Sequence, residues 1–234
     1  MALANAVSHR ALDGVSYRLN GDLDLRAPFT SAAELSIGGR LVEFTSGTAA
    51  LGDDVARSLG IAAFDSELTF QKGTLRTATT TEREPRSGLV ERPMLAVWSG
   101  NHSSLVTRLY GASVADALAL LRAVHLAETT AGLTVTPDPS GTAAFTRPAT
   151  VIKEVPGLGL LEMSRRTKEH AAQLPPWRGV RVASGELFRD TLTDGSPFFV
   201  LSGTTVWATL VPLSGTPVER VPDLVGRLQL SCTV

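Results

Sequence analysis

The chain has 234 residues, 43% hydrophobic and 19% charged, so it can bury a core and is not a disordered polyelectrolyte. Its 22 Lys and Arg nearly cancel its 23 Asp and Glu, and a formal charge of −1 sets no global field toward nucleic acid or an anionic membrane. The length accommodates one large domain or two small ones.

Tyr17, Leu19, Leu23 and Leu25 alternate with polar residues around Asn20-Gly21. Period two predicts strand, and Asn-Gly predicts a hairpin turn. Leu35 and Ile37, then Gly38-Gly39, then Leu41 to Phe44 predict a second hairpin. At Leu51, Val55 and Leu59 the spacing becomes helical, and Gly60 supplies a stop. Ser46 or Thr48 is expected to cap this helix, with Asp53 and Asp54 in its first turn. Period two returns at Leu68, Phe70, Leu75 and Thr77, and the threonines up to Thr81 suit a pleated surface. The charged stretch 81–92 reads as a solvated hairpin loop. Residues 93–100 and 103–111 read as two more strands, joined by a polar turn that carries His102.

Ser113 and Asp116 form a capping-box pattern, and Val114, Leu118, Leu121 and the Val124/His125 pair make one stripe that Gly132 closes. A single long helix over about 113–130 is predicted. Short strand-like pieces follow up to residue 164. Phe198–Leu213 is the strongest apolar β stretch, with Gly203 marking a tight turn or bulge. A short helix at 221–228 and a terminal strand close the chain. That strand carries the only cysteine, Cys232, expected to be a small buried residue.

The order lacks the regular alternation of a doubly wound sheet, and its connections are short. The expected fold class is α+β: a largely antiparallel, curved sheet packed against one long helix, with one or two short helices. A single domain over 1–234 is expected, the alternative being two similar halves meeting near 111–132. The pentapeptide Ser-Gly-Thr-Ala-Ala occurs at Ser46–Ala50 and Ser140–Ala144. Sliding one copy onto the other sets the helix pattern after Leu51 against a proline-broken strand pattern after Phe145. The pentapeptide therefore reads as turn chemistry, and no internal repeat is identified.

Several chemistries are set aside. Neither pentapeptide copy is followed by the lysine of a P-loop. Gly157-x-Gly159 meets Glu162 where a dinucleotide fingerprint needs glycine. No Gly-x-Ser-x-Gly occurs. The histidines, His9, His102, His125 and His170, show no metal-ligand spacing. No cofactor and no metal are expected.

The most suggestive segment is "SRRTKEHAAQLPPWRGVR". Arg165, Arg166, Lys168, Arg178 and Arg181 face a single acid, Glu169, and Pro175-Pro176 halts any helix before Trp177. Arg and Trp together supply charge and a planar face, and both anchor protein interfaces. The expected function is a non-catalytic binding or assembly protein. It would engage a protein partner, or copies of itself, through a sheet edge and this segment. The alternative is a small-molecule-binding or enzymatic domain with a pocket between sheet and helix and His102 as general base. The N-terminus lacks the basic start and apolar core of a secretory signal, and no apolar run reaches the ~18–20 residues of a bilayer span. A cytoplasmic protein with no membrane role is expected. Lysine occurs only at Lys72, Lys153 and Lys168, an arginine bias typical of a GC-rich bacterial genome.

Overall fold

A computed structural model describes residues 5–83 and 88–234. It corrects the expected fold class. The protein is mostly β, with 50% strand and 14% helix, and among the described residues no single long helix is present. The residues sort into two compact units. The first comprises the chain up to Ala11, Val15–Thr30 and Pro148–Val234; the second comprises Leu12–Gly14 and Ser31–Arg147.

The chain opens in the first unit with an antiparallel pair, β1 (Asn5–Arg10) and β2 (Ser16–Gly21). Tyr17 and Leu19 point inward, as their alternation requires. Asn20-Gly21 ends β2 and does not turn a hairpin into Leu23–Leu25. Gly21 is needed for closeness: a Cβ there would lie 2.4 Å from the Arg227 carbonyl oxygen.

The second unit holds β3 (Phe29–Ile37) from Ser31 onward and β4 (Arg40–Thr48). Gly38 and Gly39, at φ +58° and +79°, make the two-residue turn between them. Helix α1 (Leu51–Ser58) starts from Ala50, which makes no side-chain cap, while Ser46 and Thr48 remain in β4. There follow β5 (Ser66–Phe70), β6 (Gly73–Thr79), the short pair β7 (Glu82–Arg83) and β8 (Val90–Glu91), β9 (Met94–Ser99) and β10 (Ser103–Leu109). The charged stretch expected as a loop thus contributes the β7–β8 pairing; Glu84–Ser87 lie outside the described residues. Spatially the unit's main strands run β3-β4-β10-β9-β6-β5, every neighbour antiparallel. Ala56 of α1 packs on Leu95, Val97 and Val106.

The long helix expected over 113–130 is two elements. α2 (Val114–Arg122) carries the expected reciprocal Ser113–Asp116 capping box but ends at Arg122. β11 (Val124–Thr129) then pairs with β12 (Gly132–Pro137), which Gly132 opens. Val124 and Leu126 are buried while His125 and Ala127 are exposed, a period of two that the helical stripe had absorbed. The two-residue strand β13 (Ala144–Phe145) borders β3.

The chain completes the first unit with β14 (Thr150–Val155), β15 (Gly159–Arg165), α3 (Lys168–Ala172), β16 (Val180–Val182), β17 (Gly185–Thr191), β18 (Pro197–Ser202), β19 (Val206–Val211), α4 (Val221–Gly226) and β20 (Leu228–Thr233). Its main strands run β14-β15-β19-β18-β17-β16, again antiparallel, and β20 pairs with β2. Cys232 lies buried in β20, as expected.

The two units share one strand path. Apart from the β7–β8 pair of the second unit, each runs hairpin, helix, hairpin, hairpin, helix, strand, and in each the last of the six sheet strands inserts beside the second. Hydrogen bonds set the equivalences. Gly100 N–H donates to Ser103 O, and Gly203 N–H to Val206 O, both at 2.9 Å. Gln71, in the β5–β6 turn, donates to Val124 O and accepts from Leu126 N–H, both at 2.8 Å. Ser184, in the β16–β17 turn, donates to Leu228 O at 3.0 Å and accepts from Leu230 N–H at 2.7 Å. β11 thus corresponds to β20, and Glu128 to Cys232.

Candidate functional site

The Arg/Trp segment begins where β15 ends. Arg165 is exposed. Arg166 is half-buried: its N–H donates to Thr205 O at 2.9 Å and its Nη1 to Gly203 O at 3.0 Å, so its guanidinium is held against the β18–β19 turn. Thr167 then caps α3. His170 closes the cap, its Nδ1 accepting from Thr167 N–H at 3.1 Å, and its ring stacks on Trp207 with centroids 4.8 Å apart. The capping form is the neutral imidazole, and burial lowers the His170 pKa, against the pull of Glu169 and with the help of Arg166. Lys168 is exposed on α3.

Beyond Pro175-Pro176 the chain presents Trp177, 53% exposed, then Arg178, then Val180, 55% exposed, at the start of β16. Val180 also lines a mostly apolar cleft of about 270 Å³ with Leu187, Phe199, Val218 and Pro222, to which Arg189 and Glu219 contribute as well. On the other side of β16, Arg166 and Arg181 line an open groove of about 520 Å³ with Ser184, Glu186, Gly203 and Thr204. Glu186 spends Oε1 on the Gly179 N–H at 2.8 Å. Of the six predicted partner-binding residues, the fold brings Arg166 and Arg181 to one groove. It sets Trp177 and Arg178 in solvent on the approach to β16, and leaves Arg165 and Lys168 exposed at the start of the segment.

In the second unit a polar site forms at the matching place. His102 sits in the β9–β10 turn, exposed, and its backbone does the chemistry. The Glu128 carboxylate accepts from three successive N–H groups: Asn101 at 2.5 Å, His102 at 3.1 Å and Ser103 at 3.1 Å. Successive amides aimed at one anion form a nest. Beside it lies a cleft of about 370 Å³ lined by Gln71, Lys72, Trp98, Asn101, His125 and Glu128. Gln71 and Lys72 form the β5–β6 turn with φ +46° and +63°, a conformation that ordinarily selects Asn-Gly. The Gln71 amide compensates, bonding Leu121 O at 3.2 Å as well as the two β11 groups. Gly73 leaves room for the Trp98 indole, which donates to Phe70 O at 2.9 Å.

Sequence reasoning missed Gln71, Glu128 and Ser184. Each acts on backbone groups distant in the chain, and no local pattern marks such a contact. Also unforeseen is Lys153, 1% exposed in the first unit. Its ammonium bonds the Ala27 carbonyl and lies 4.2 Å from the centre of the Phe29 ring. Burial lowers its pKa, and Asp24 opposes that shift. Among the described residues no cluster of His, Cys, Asp and Glu is arranged to hold a metal, and no helix is long and apolar enough to cross a membrane.

The fold and sites define an antiparallel β protein with a duplicated strand path. In comparisons with known proteins, no family model, no curated sequence and no solved structure matches the chain.

Proposed function

We propose that this is a non-catalytic assembly protein that associates with copies of itself through the β16 edge and the Arg/Trp segment 165–181. The observation that carries the reading is the pairing of knob and hole. Trp177 stands in solvent as the knob, and the exposed Val180 forms part of the wall of a mostly apolar cleft, the hole. With Trp177 53% exposed, about half of the roughly 150–250 Å² that a large aromatic side chain can bury is still open to a partner. Knob and hole in one unit make a self-complementary surface, the condition for a two-fold interface. β16 has three residues and carries Arg181 in the middle, a short and charged edge that blunts open-ended strand addition. Side chains, rather than a continuing ladder, make the contact, which favours a closed assembly.

Light scattering across protein concentration tests the reading. The wild-type chain should exceed the mass of a single chain. Trp177→Ala combined with Arg178→Ala should weaken association about 30-fold, as for loss of an interface anchor of about 2 kcal/mol. A wild-type chain that stays at single-chain mass, or a double variant that associates like wild type, contradicts it.

The 370 Å³ cleft supports a second reading, small-molecule binding, because its volume falls within the usual ligand-pocket range. His125, on the cleft wall, is better placed there than His102, whose contribution is its backbone N–H.

A further inference from the structure

We infer that the groove of the first unit takes a carboxylate from a second copy of the chain, held on the N–H groups of the β18–β19 turn between Arg166 and Arg181. This deepens the assembly reading and rests on it. The second unit shows what this turn can do. There the β9–β10 turn holds the chain's own Glu128 on three N–H groups, so closely that a Cβ on Gly100 would lie 2.5 Å from Oε1. The β18–β19 turn is its counterpart, closed by the same Gly203-to-Val206 hydrogen bond and tied to its neighbouring strand at the same positions.

The occupant differs. Cys232 stands where the second unit has Glu128, and its Sγ donates to the Thr205 carbonyl at 3.1 Å, bringing no negative charge to the turn. Thr204 and Thr205 are exposed, and no acceptor among the described residues bonds their N–H groups. Cations flank the turn instead. Arg166 is already fixed to Gly203 O, and Arg181 lines the same groove, with Glu186 half-engaged by Gly179. Guanidinium forks and convergent amides are the donor set for a carboxylate. One unit carries its own acid in the turn; the other is arranged to receive one from outside.

The test is an amide-resonance titration of the ¹⁵N-labelled full chain. Sodium acetate and sodium phosphate are added separately, each against sodium chloride at equal ionic strength. Acetate should move the Thr204, Thr205 and Val206 resonances saturably and leave those of Asn101, His102 and Ser103 in place. Arg166→Ala with Arg181→Ala should weaken the acetate response about ten-fold, for the loss of charge-assisted donors. In Glu128→Ala the Asn101–Ser103 resonances should begin to respond. The wild-type titration needs no variant to fold. Absence of a saturable acetate shift at Thr204–Val206 overturns the inference, and so does a phosphate response about ten-fold tighter than acetate. If the acetate response is absent while concentration-dependent association persists, the carboxylate falls and the assembly reading stands.

Discussion

Gly185→Ala should lower folding stability by about 3–5 kcal/mol, the range of strain plus backbone clash at a special φ. Gly185 opens β17 at φ +150°, outside the usual range of residues with a side chain. A Cβ there would lie 2.2 Å from Ser202 O and 2.8 Å from Gly203 Cα. Both are backbone atoms, so no rotamer change relieves the contact. Either the β16–β17 hairpin separates from β18 or the Gly203 turn moves, and either movement reshapes the groove that holds Arg166 and Arg181. Gly195→Ala is the control. Its φ of +84° carries backbone strain, but nothing lies within 4 Å of the added methyl, so about 1–2 kcal/mol is expected. Urea unfolding with an unchanged slope reads both. Equal costs at the two glycines would show that the close approach of Gly185 to β18 is not a constraint.

Gln71→Ala should cost about 3 kcal/mol, since three part-buried backbone partners lose one amide. Those partners are Leu121 O at the end of α2, Val124 O and Leu126 N–H. The Leu121 carbonyl keeps a backbone N–H partner at the end of α2, so the groups left without a partner are Val124 O and Leu126 N–H, and the substitution loosens the α2–β11 junction there. Gln71→Gly removes the same bonds but relieves the positive φ, and should be less harmful than alanine by about 1 kcal/mol. Ser184→Ala, at the matching turn of the first unit, removes two bonds and should cost about 2 kcal/mol. Chemical denaturation of the three variants reads the order. A Gln71→Ala chain as stable as wild type would mean that this amide does not tie the turn to β11.

Local patterns made much of the strand content legible. The β9 and β10 strands, the Gly38-Gly39 turn, the α2 capping box, the turn at Gly203 and the buried Cys232 follow from period, turn chemistry and composition. The helix expected over 113–130 fails for a physical reason. Val124 continues the α2 stripe and also begins a strand alternation, and only pairing with Leu133–Pro137 decides between them. The pentapeptide adopts two conformations, as its neighbours imply: β4 leading to the start of α1, and a turn held by Asp138 before β13. The shared strand path was hidden because its spacing varies. Gly73 answers to Gly185, but Gly100 answers to Gly203, so no single slide aligns both. Of the site, sequence supplied the arginines and Trp177. It could not show that Arg166 and Arg181, separated by a helix and a proline pair, line one groove with a turn from β18–β19.

In the proposed assembly the β16 edge and the segment around it form the contact face. Amide hydrogen exchange of the purified chain, read by mass spectrometry at low and high protein concentration, tests it most directly. Residues 165–182 and 203–206 should exchange more slowly as concentration rises, while β5, the end strand of the second unit's path, should be unchanged. Protection that appears at Ser66–Phe70 instead, or exchange in 165–182 that is independent of concentration, would contradict it.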